Sequence, residues 1–319
     1  MRHFLSVTDA GDIHNLVEEA LRLKARPDLN RRFAGKRLGL IFMNPSLRTR
    51  VSTQVAALNL GLDSIVLNTS GDSWQLEFAE GAVMDGNTVE HVKDAAPVLG
   101  SYFDILGIRT FPGLKNKEDD YAENVLNAFV KYAGVPVMSL ESATRHPLQS
   151  LADVITITEY GLLQKIKRPK VVLMWAPHVK PLPQCVANSF SEWMNAWGGA
   201  DFLITHPEGY ELDREFTGEA KVIYNQEEAL QDADFVYVKN WSSVSEYGKI
   251  LPVEENWMLT NEKLKSAPEA RIMHCLPVRR NLVLSDEILD SERSIVTAQA
   301  GNRVWSAQAV LSEILKDNF

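Results

Sequence analysis

At 319 residues the chain exceeds an ordinary single-core domain, and at about 150 residues per domain it predicts two lobes. With 45% hydrophobic and 24% charged residues and no Pro/Gly-rich or repetitive stretch, the composition excludes a disordered or fibrous chain. The net charge of -9 argues against a nucleic-acid partner, because phosphate backbones are met by a net basic face, so any basic site must be local.

The start "MRHFLSVTDAGD" meets Asp9 and Gly11 before an apolar core could form, and no stretch approaches the ~18 consecutive apolar residues of a membrane span. Neither a signal nor a membrane segment is expected, and a cytosolic protein is. Next come the apolar runs "RLGLIFM", "SIVLN", "ILGIRT" and "VPVMSL", which read as strands. Between them "VSTQVAALNLG", "NTVEHVKDAAPVLGSY" and "YAENVLNAFVKYAG" carry helical spacing. The long amphipathic stretch "LQSLADVITITEYGLLQKI" is the natural connector, with a boundary near Ser150. A second series follows, "KVVLMWAP", "DFLITHP", "KVIYN", "DFVYVKN" and "RIMHCLP", interleaved with the helical patterns "PQCVANSFSEWMNAWGG", "QEEALQDA" and "TNEKLKSA". The last segment, "NRVWSAQAVLSEILKDN", places Val304, Ala307, Val310, Leu311 and Leu315 on one helical face that could pack back on the first domain.

The expected fold is therefore α/β, with two doubly wound parallel-sheet domains joined by interdomain helices. The domains are expected at 1–150, with a C-terminal helix from about 300 to 319, and at 151–299. Uninterrupted apolar strands are those of parallel sheets buried on both faces, and ligands of such sheets sit beyond the carboxyl ends of the strands. Polar motifs fall at those ends. "NPSLRTR" puts Ser46, Arg48, Thr49 and the first helical N–H groups at one pole, an anion seat in which Arg48 can add a bidentate contact. Neither GxxxxGK[ST] nor GxGxxG after a strand is present, so nucleotide readings are weak. "GIRT" ends a strand with Arg109, and "SATRHPLQS" follows another with Arg145, His146 and Gln149. Guanidinium groups for an anion, a His donor for a carbonyl oxygen and an amide that donates and accepts suit a phosphate joined to a polarisable carbonyl. "MHCLPVRR" ends a strand of the second series with His274, Cys275, Leu276 and Pro277. Cys185 and Cys275 have no CxxC spacing, so neither a disulfide framework nor zinc is expected.

Taken together, "SLRTR", Arg109, "HPLQSLADVITI" and "HCLP" in this order resemble the aspartate/ornithine transcarbamylase family over almost the full length. The resemblance implies a carbamoyl phosphate-binding N-terminal domain, a C-terminal domain for an amino-acid amine, and a trimer with active sites shared between subunits. It places Ser46, Leu47, Arg48, Thr49, Arg109, His146, Gln149 and Arg303 on carbamoyl phosphate, and Cys275 with Leu276 near the reacting carbonyl. Arg48, Thr49, His146, Cys275 and Arg303 are the catalytic candidates. "QAGNR" departs from the family, which often has Glu where this chain has Gly301. The implied reaction needs no redox cofactor or metal.

Ornithine transcarbamylases carry an Asp and an S-M-G loop for the free α-amino acid end, whereas the matching strand end here reads "DFVYVKNWSSV". Lys239 would repel an unmasked α-ammonium, and acylation removes that charge. The chain accordingly resembles the N-acylornithine transcarbamylases, with Glu141, His178, Lys239 and Arg279 or Arg280 as candidate amino-acid contacts. Trp74 in "GDSWQ" would reach the neighbouring subunit's site. In body the chain looks closer to the succinyl branch, yet "DGNTVEHV" has Glu90 where that branch places a proline and the acetyl branch an acid. Beside a succinyl carboxylate Glu90 would repel, so an acetyl-type determinant sits on a succinyl-type scaffold. A helix-start acid is the other reading of Glu90. The alternatives are an ornithine transcarbamylase or a catalytically silent relative with a binding role.

Overall fold

The computed structural model describes residues 1–27, 31–69, 71 and 73–318, so Asp72 of "GDSWQ" and Phe319 of the last segment lie outside the described residues. Two compact units divide the chain. One comprises Met1–Gly113, Lys117–Leu148 and Arg303–Phe319, the other Leu114–Asn116 and Gln149–Asn302. Among the described residues no helix is long and apolar enough to cross a membrane.

In the first unit the chain runs α1 (Ile13–Ala25), β1 (Arg37–Phe42), α2 (Arg48–Leu60), β2 (Asp63–Asn68), β3 (Leu76–Glu77), β4 (Glu90–His91), α3 (Val92–Tyr102), β5 (Ile105–Arg109), α4 (Lys117–Tyr121), α5 (Asn124–Tyr132) and β6 (Val137–Glu141). Among the described residues its main sheet has the order β2-β1-β5-β6, parallel throughout. From Leu38 to Phe42, and along all of β5 and β6, every residue is buried, as expected of strands covered on both faces. Gly39 is required by packing, since a Cβ there would lie 2.7 Å from the Phe103 ring. The register pairs Phe42 with Arg109 and Arg109 with Glu141, so three neighbouring strands end in one row.

The helix α6 (Pro147–Gln164) has its first two residues in the first unit and the rest in the second, with Pro147 at the first helical position, where a missing N–H costs nothing. There follow β7 (Lys170–Trp175), α7 (Cys185–Trp197), β8 (Asp201–Thr205), α8 (Arg214–Thr217), β9 (Lys221–Val222), α9 (Gln226–Leu230), β10 (Phe235–Lys239), β11 (Arg271–Met273), α10 (Asp286–Leu289) and α11 (Val296–Asn318). Among the described residues these strands form a parallel sheet of order β11-β10-β7-β8-β9. The final helix starts at Val296, ahead of the expected 300. Within the first unit its Ala307, Val310, Leu311, Ile314 and Leu315 are buried, and Gln308 accepts a hydrogen bond from Asn59 at 2.9 Å.

Three expected helices differ. "TNEKLKSA" forms successive turns, with Leu264, Lys265 and Ala267 N–H groups reaching back three residues, because Pro268 stops propagation after too few residues. The pattern over 121–134 breaks at Glu123, whose φ of 50° is left-handed. The pattern over 87–102 becomes helical only at Val92. His91 is its N-cap, accepting from the Lys93 N–H, while Glu90 sits in β4 paired with Leu76. Glu90 is therefore a strand residue and not a helix-start acid.

Candidate active site

The row of strand ends in the first unit assembles a buried polar cluster. At the head of α2 the Ser46 Oγ accepts the Thr49 N–H at 3.2 Å, the capping bond expected of a serine ahead of a helix. That bond fixes Thr49, whose buried Oγ1 accepts from Arg303 at 2.7 Å and from Arg109 at 3.3 Å. Arg109 also donates to the Glu141 carboxylate. His146 Nε2 lies 3.5 Å from Glu141 and 3.4 Å from the Arg303 guanidinium. Thr49, Arg109, Glu141, His146 and Arg303 thus meet, although sequence reading put Glu141 with the amino-acid contacts. Among the described residues this cluster holds two guanidinium groups and one carboxylate, a balance that favours an anion. Arg48 is half-buried at the same helix start, and Leu47 is exposed.

Glu123, not foreseen from the sequence, holds the loop that delivers His146. Its carboxylate accepts from the Ser142 and Thr144 hydroxyls, both at 2.6 Å, and from the Ala143 and Thr144 N–H groups. The positive φ at Glu123 turns that side chain out of the expected helix. Only an acidic residue interrupting an apolar period could have signalled it.

Elsewhere in this unit the Trp74 indole N–H donates to Glu90 at 2.8 Å. Glu77 ties the same segment, accepting from the Phe78 and Ala79 N–H groups and the Thr88 hydroxyl. Trp74 and Glu90 are therefore neighbours, and neither belongs to the buried cluster.

The second unit groups His178, Lys239 and Arg279. The Arg279 Nε–H donates to His178 Nε2 at 3.1 Å, while His178 Nδ1 lies 3.1 Å from the Lys180 backbone nitrogen and 2.9 Å from the Lys180 carbonyl oxygen. Burial lowers the His178 pKa below its ordinary value, and the Arg279, Lys239 and Lys180 charges lower it further. Lys239 is buried at the end of β10. Arg280 stands apart: it binds Asp286 at 2.9 Å and Asp290 at 2.8 Å. The structure thus separates the two arginines that the sequence left equivalent.

Cys275 is buried, and Leu276 takes a left-handed φ of 56° before a cis bond to Pro277. The Leu276 N–H donates to His274 Nδ1 at 2.8 Å, and the His274 N–H to Gln299 Oε1 at 2.8 Å. Gln149 is fully buried in the second unit, its amide bound to Asp153 at 2.7 Å. Asp153 and Gln299 were also missed. An acid four residues after Gln149 on this amphipathic helix was the available signal. Among the described residues no cluster of three or more His, Cys, Asp or Glu side chains could hold a metal ion.

Residues 2–159 match the family model for the aspartate/ornithine carbamoyltransferase carbamoyl-P binding domain, and residues 184–314 that for the Asp/Orn binding domain. The chain is 48% identical to an N-succinylornithine carbamoyltransferase of Bacteroides fragilis (strain 638R), over 99% of each chain. It is 33% identical to an N-acetylornithine carbamoyltransferase of Xanthomonas axonopodis pv. citri (strain 306), over 98% of this chain and 96% of that one. A crystal structure of an acetylornithine transcarbamylase complexed with acetylcitrulline superposes with a TM-score of 0.90 at 31% identity, covering 98% of this chain and 99% of the other.

Proposed function

The chain belongs to the aspartate/ornithine carbamoyltransferase family, and from that premise we propose that it transfers the carbamoyl group of carbamoyl phosphate to the δ-amine of an N-acylated L-ornithine. The products are an N-acylcitrulline and phosphate, a step of arginine biosynthesis. The observation that carries the reading is the buried meeting of Arg109 and Arg303 on Thr49, beside His146. Ser46, Leu47, Arg48, Thr49, Arg109 and Arg303 are assigned to the phosphate and carbamoyl oxygens, with His146 and Gln149 on the carbamoyl group. The neutral δ-amine attacks the carbamoyl carbon and forms the new C–N bond. The carbonyl oxygen gains negative charge against Arg48, Thr49, His146 and Arg303. The C–O bond to phosphate then breaks, the electron pair leaves with phosphate, and the amine gives up a proton. Positioning and electrostatic stabilisation supply the rate.

The acylornithine is assigned to the second unit's His178, Lys239 and Arg279, with Cys275 and Leu276 beside the reacting carbon; Arg280, engaged by Asp286 and Asp290, is left out of the contact set. Overall similarity favours a succinyl-type scaffold, while the carboxylate of Glu90 favours the neutral acetyl group. N-acetyl-L-ornithine is the substrate assigned on that charge argument. A homotrimer with shared active sites is the assembly assigned. In its support, Leu47 just ahead of α2 and Val51, Val55 and Leu58 on it are all exposed at spacings of four, four and three, an apolar stripe of the kind that subunits cover.

Phosphate release from carbamoyl phosphate with ornithine, N-acetylornithine, N-succinylornithine and aspartate tests the reading. Turnover with an acylornithine and none with ornithine is expected. Preference for ornithine or silence with the whole panel overturns it. Light scattering reads the mass of the assembly.

A further inference from the structure

The turn that bears Cys275 begins where a strand ladder ends. β11 lies between β10 and the segment 293–295: the Ile272 N–H donates to the Arg293 carbonyl at 2.9 Å, and the Ile295 N–H to the Ile272 carbonyl at 3.0 Å. N–H groups two residues apart along a strand point to the same edge, so the His274 N–H faces the side on which that segment has turned into α11. A side-chain carbonyl takes over there. Gln299, on the first turn of α11, accepts the His274 N–H on its Oε1 at 2.8 Å. Its amide has one orientation, because Nε2 donates to Asp153 Oδ1 at 2.7 Å and the opposite flip would set a carbonyl oxygen against a carboxylate and an –NH2 against the His274 N–H. His274 passes the constraint on. Its Nδ1 accepts the Leu276 N–H at 2.8 Å and holds Leu276 at a φ of 56°, a left-handed conformation that a leucine keeps only when its surroundings impose it. Asp153, Gln299 and His274 are each fully buried, and all three belong to the second unit.

We propose that Gln299 is a positioning residue for the transfer step: its amide, oriented by Asp153, sets through His274 the backbone of Cys275 and Leu276. The proposal rests on the assignment of those two residues beside the reacting carbon. Gln299 thereby acts on turnover without touching a substrate. Its bond to Asp153 also ties α11 to α6, but that tie is repeated one turn further on, where Asn302 donates to the Thr156 hydroxyl at 2.9 Å. Loss of Gln299 is therefore expected to loosen the turn more than the helix pair.

The full-length parent is compared with Gln299→Met, which keeps the side-chain length and removes both hydrogen bonds, and with His274→Asn and His274→Leu. An asparagine carbonyl can accept the N–H two residues on, as in an Asx-turn, and leucine cannot. Three quantities are read: kcat with carbamoyl phosphate and N-acetyl- or N-succinyl-L-ornithine, hydrogen exchange of the His274 and Leu276 amides against those of β10, and calorimetric affinity for inorganic phosphate, whose assigned contacts lie in the first unit. In Gln299→Met kcat is expected to fall about tenfold, the loss of one buried hydrogen bond, and the two turn amides to exchange about tenfold faster. Exchange in β10 and phosphate affinity should stay at parent values. His274→Leu should show the same loss of kcat, and His274→Asn should come within about threefold of the parent. A Gln299→Met protein that melts lower yet keeps parent kcat and turn exchange is only a helix tie, and overturns the proposal. Faster exchange in β10 to the same degree makes Gln299 a general structural residue and also overturns it. Equal kcat in the two His274 variants removes the imidazole relay, and this comparison is the test where Gln299→Met fails to fold. A parent that turns over neither acylornithine sinks the underlying reading, and the proposal with it.

Discussion

The indole N–H of Trp74 donates to the carboxylate of Glu90 at 2.8 Å, across a stretch whose short strands pair Leu76 with Glu90. The acid is thereby held in place. A succinyl tail brought beside it sets two carboxylates at close range, worth a few kcal/mol in a partly desolvated site, or ~100-fold in specificity. Replacing Glu90 by proline is expected to raise the kcat/KM ratio of N-succinyl-L-ornithine to N-acetyl-L-ornithine by about that factor. An unchanged ratio would place the acyl determinant elsewhere.

Arg48 stands half-buried at the head of α2, beside the capped Thr49. Losing a desolvated guanidinium–phosphate contact costs ~2 to 5 kcal/mol. Arg48→Ala should therefore bind carbamoyl phosphate too weakly for calorimetry while its circular dichroism and melting temperature stay near the parent. Parent-like affinity would remove Arg48 from the anion seat.

Cys275 sits in a turn fixed by its neighbours' hydrogen bonds, and carbamoyl phosphate is already an activated donor. Cys275→Ala is expected to lower turnover yet keep measurable activity, since a positioning contact is lost and no covalent step is. Mass spectrometry of the parent during turnover supplies the counter-test: a trapped carbamoyl-enzyme adduct would make the thiol a nucleophile.

His178 has its pKa pushed down by burial and then by Arg279, Lys239 and Lys180. Between the lowered folded value and the ordinary value of about 6.5 the unfolded chain binds more protons, so stability rises with pH there and is lost as pH falls through that window. His178→Gln keeps an acceptor for Arg279 and removes the titration. The fall in melting temperature from about pH 7 to about pH 5 should be shallower in that variant. Parallel curves would show that His178 carries no such linkage.

Arg279 and Arg280 are adjacent in sequence and opposite in partnership: one donates to His178, the other binds Asp286 and Asp290. Arg279→Ala is expected to raise the KM for acylornithine about tenfold, the loss of one charged contact. Arg280→Ala should move the melting temperature and leave KM near the parent value. Kinetics showing the reverse pattern would exchange their roles.

The α/β architecture, the strand-to-helix junction at Ser46–Thr49 and the helical face of the last segment were legible in the sequence, because each depends on residues within a few positions of one another. Apolar runs specify strands buried on both faces, and a serine ahead of a helix caps it whatever lies beyond. Local pattern also misled where a distant partner decided the outcome. Glu123 leaves its helix to bind Ser142 and Thr144, 19 and 21 positions further on, and Glu90 joins a strand because Leu76 pairs with it. Arg303 reaches Thr49 across 254 positions, and Gln299 reaches Asp153 across 146. The identity of a polar side chain states what it can donate or accept. Which partner it meets, and so whether Arg279 or Arg280 faces His178 or which way Gln149 turns its amide, follows from packing that brings remote segments together, and that is decided only by the tertiary structure.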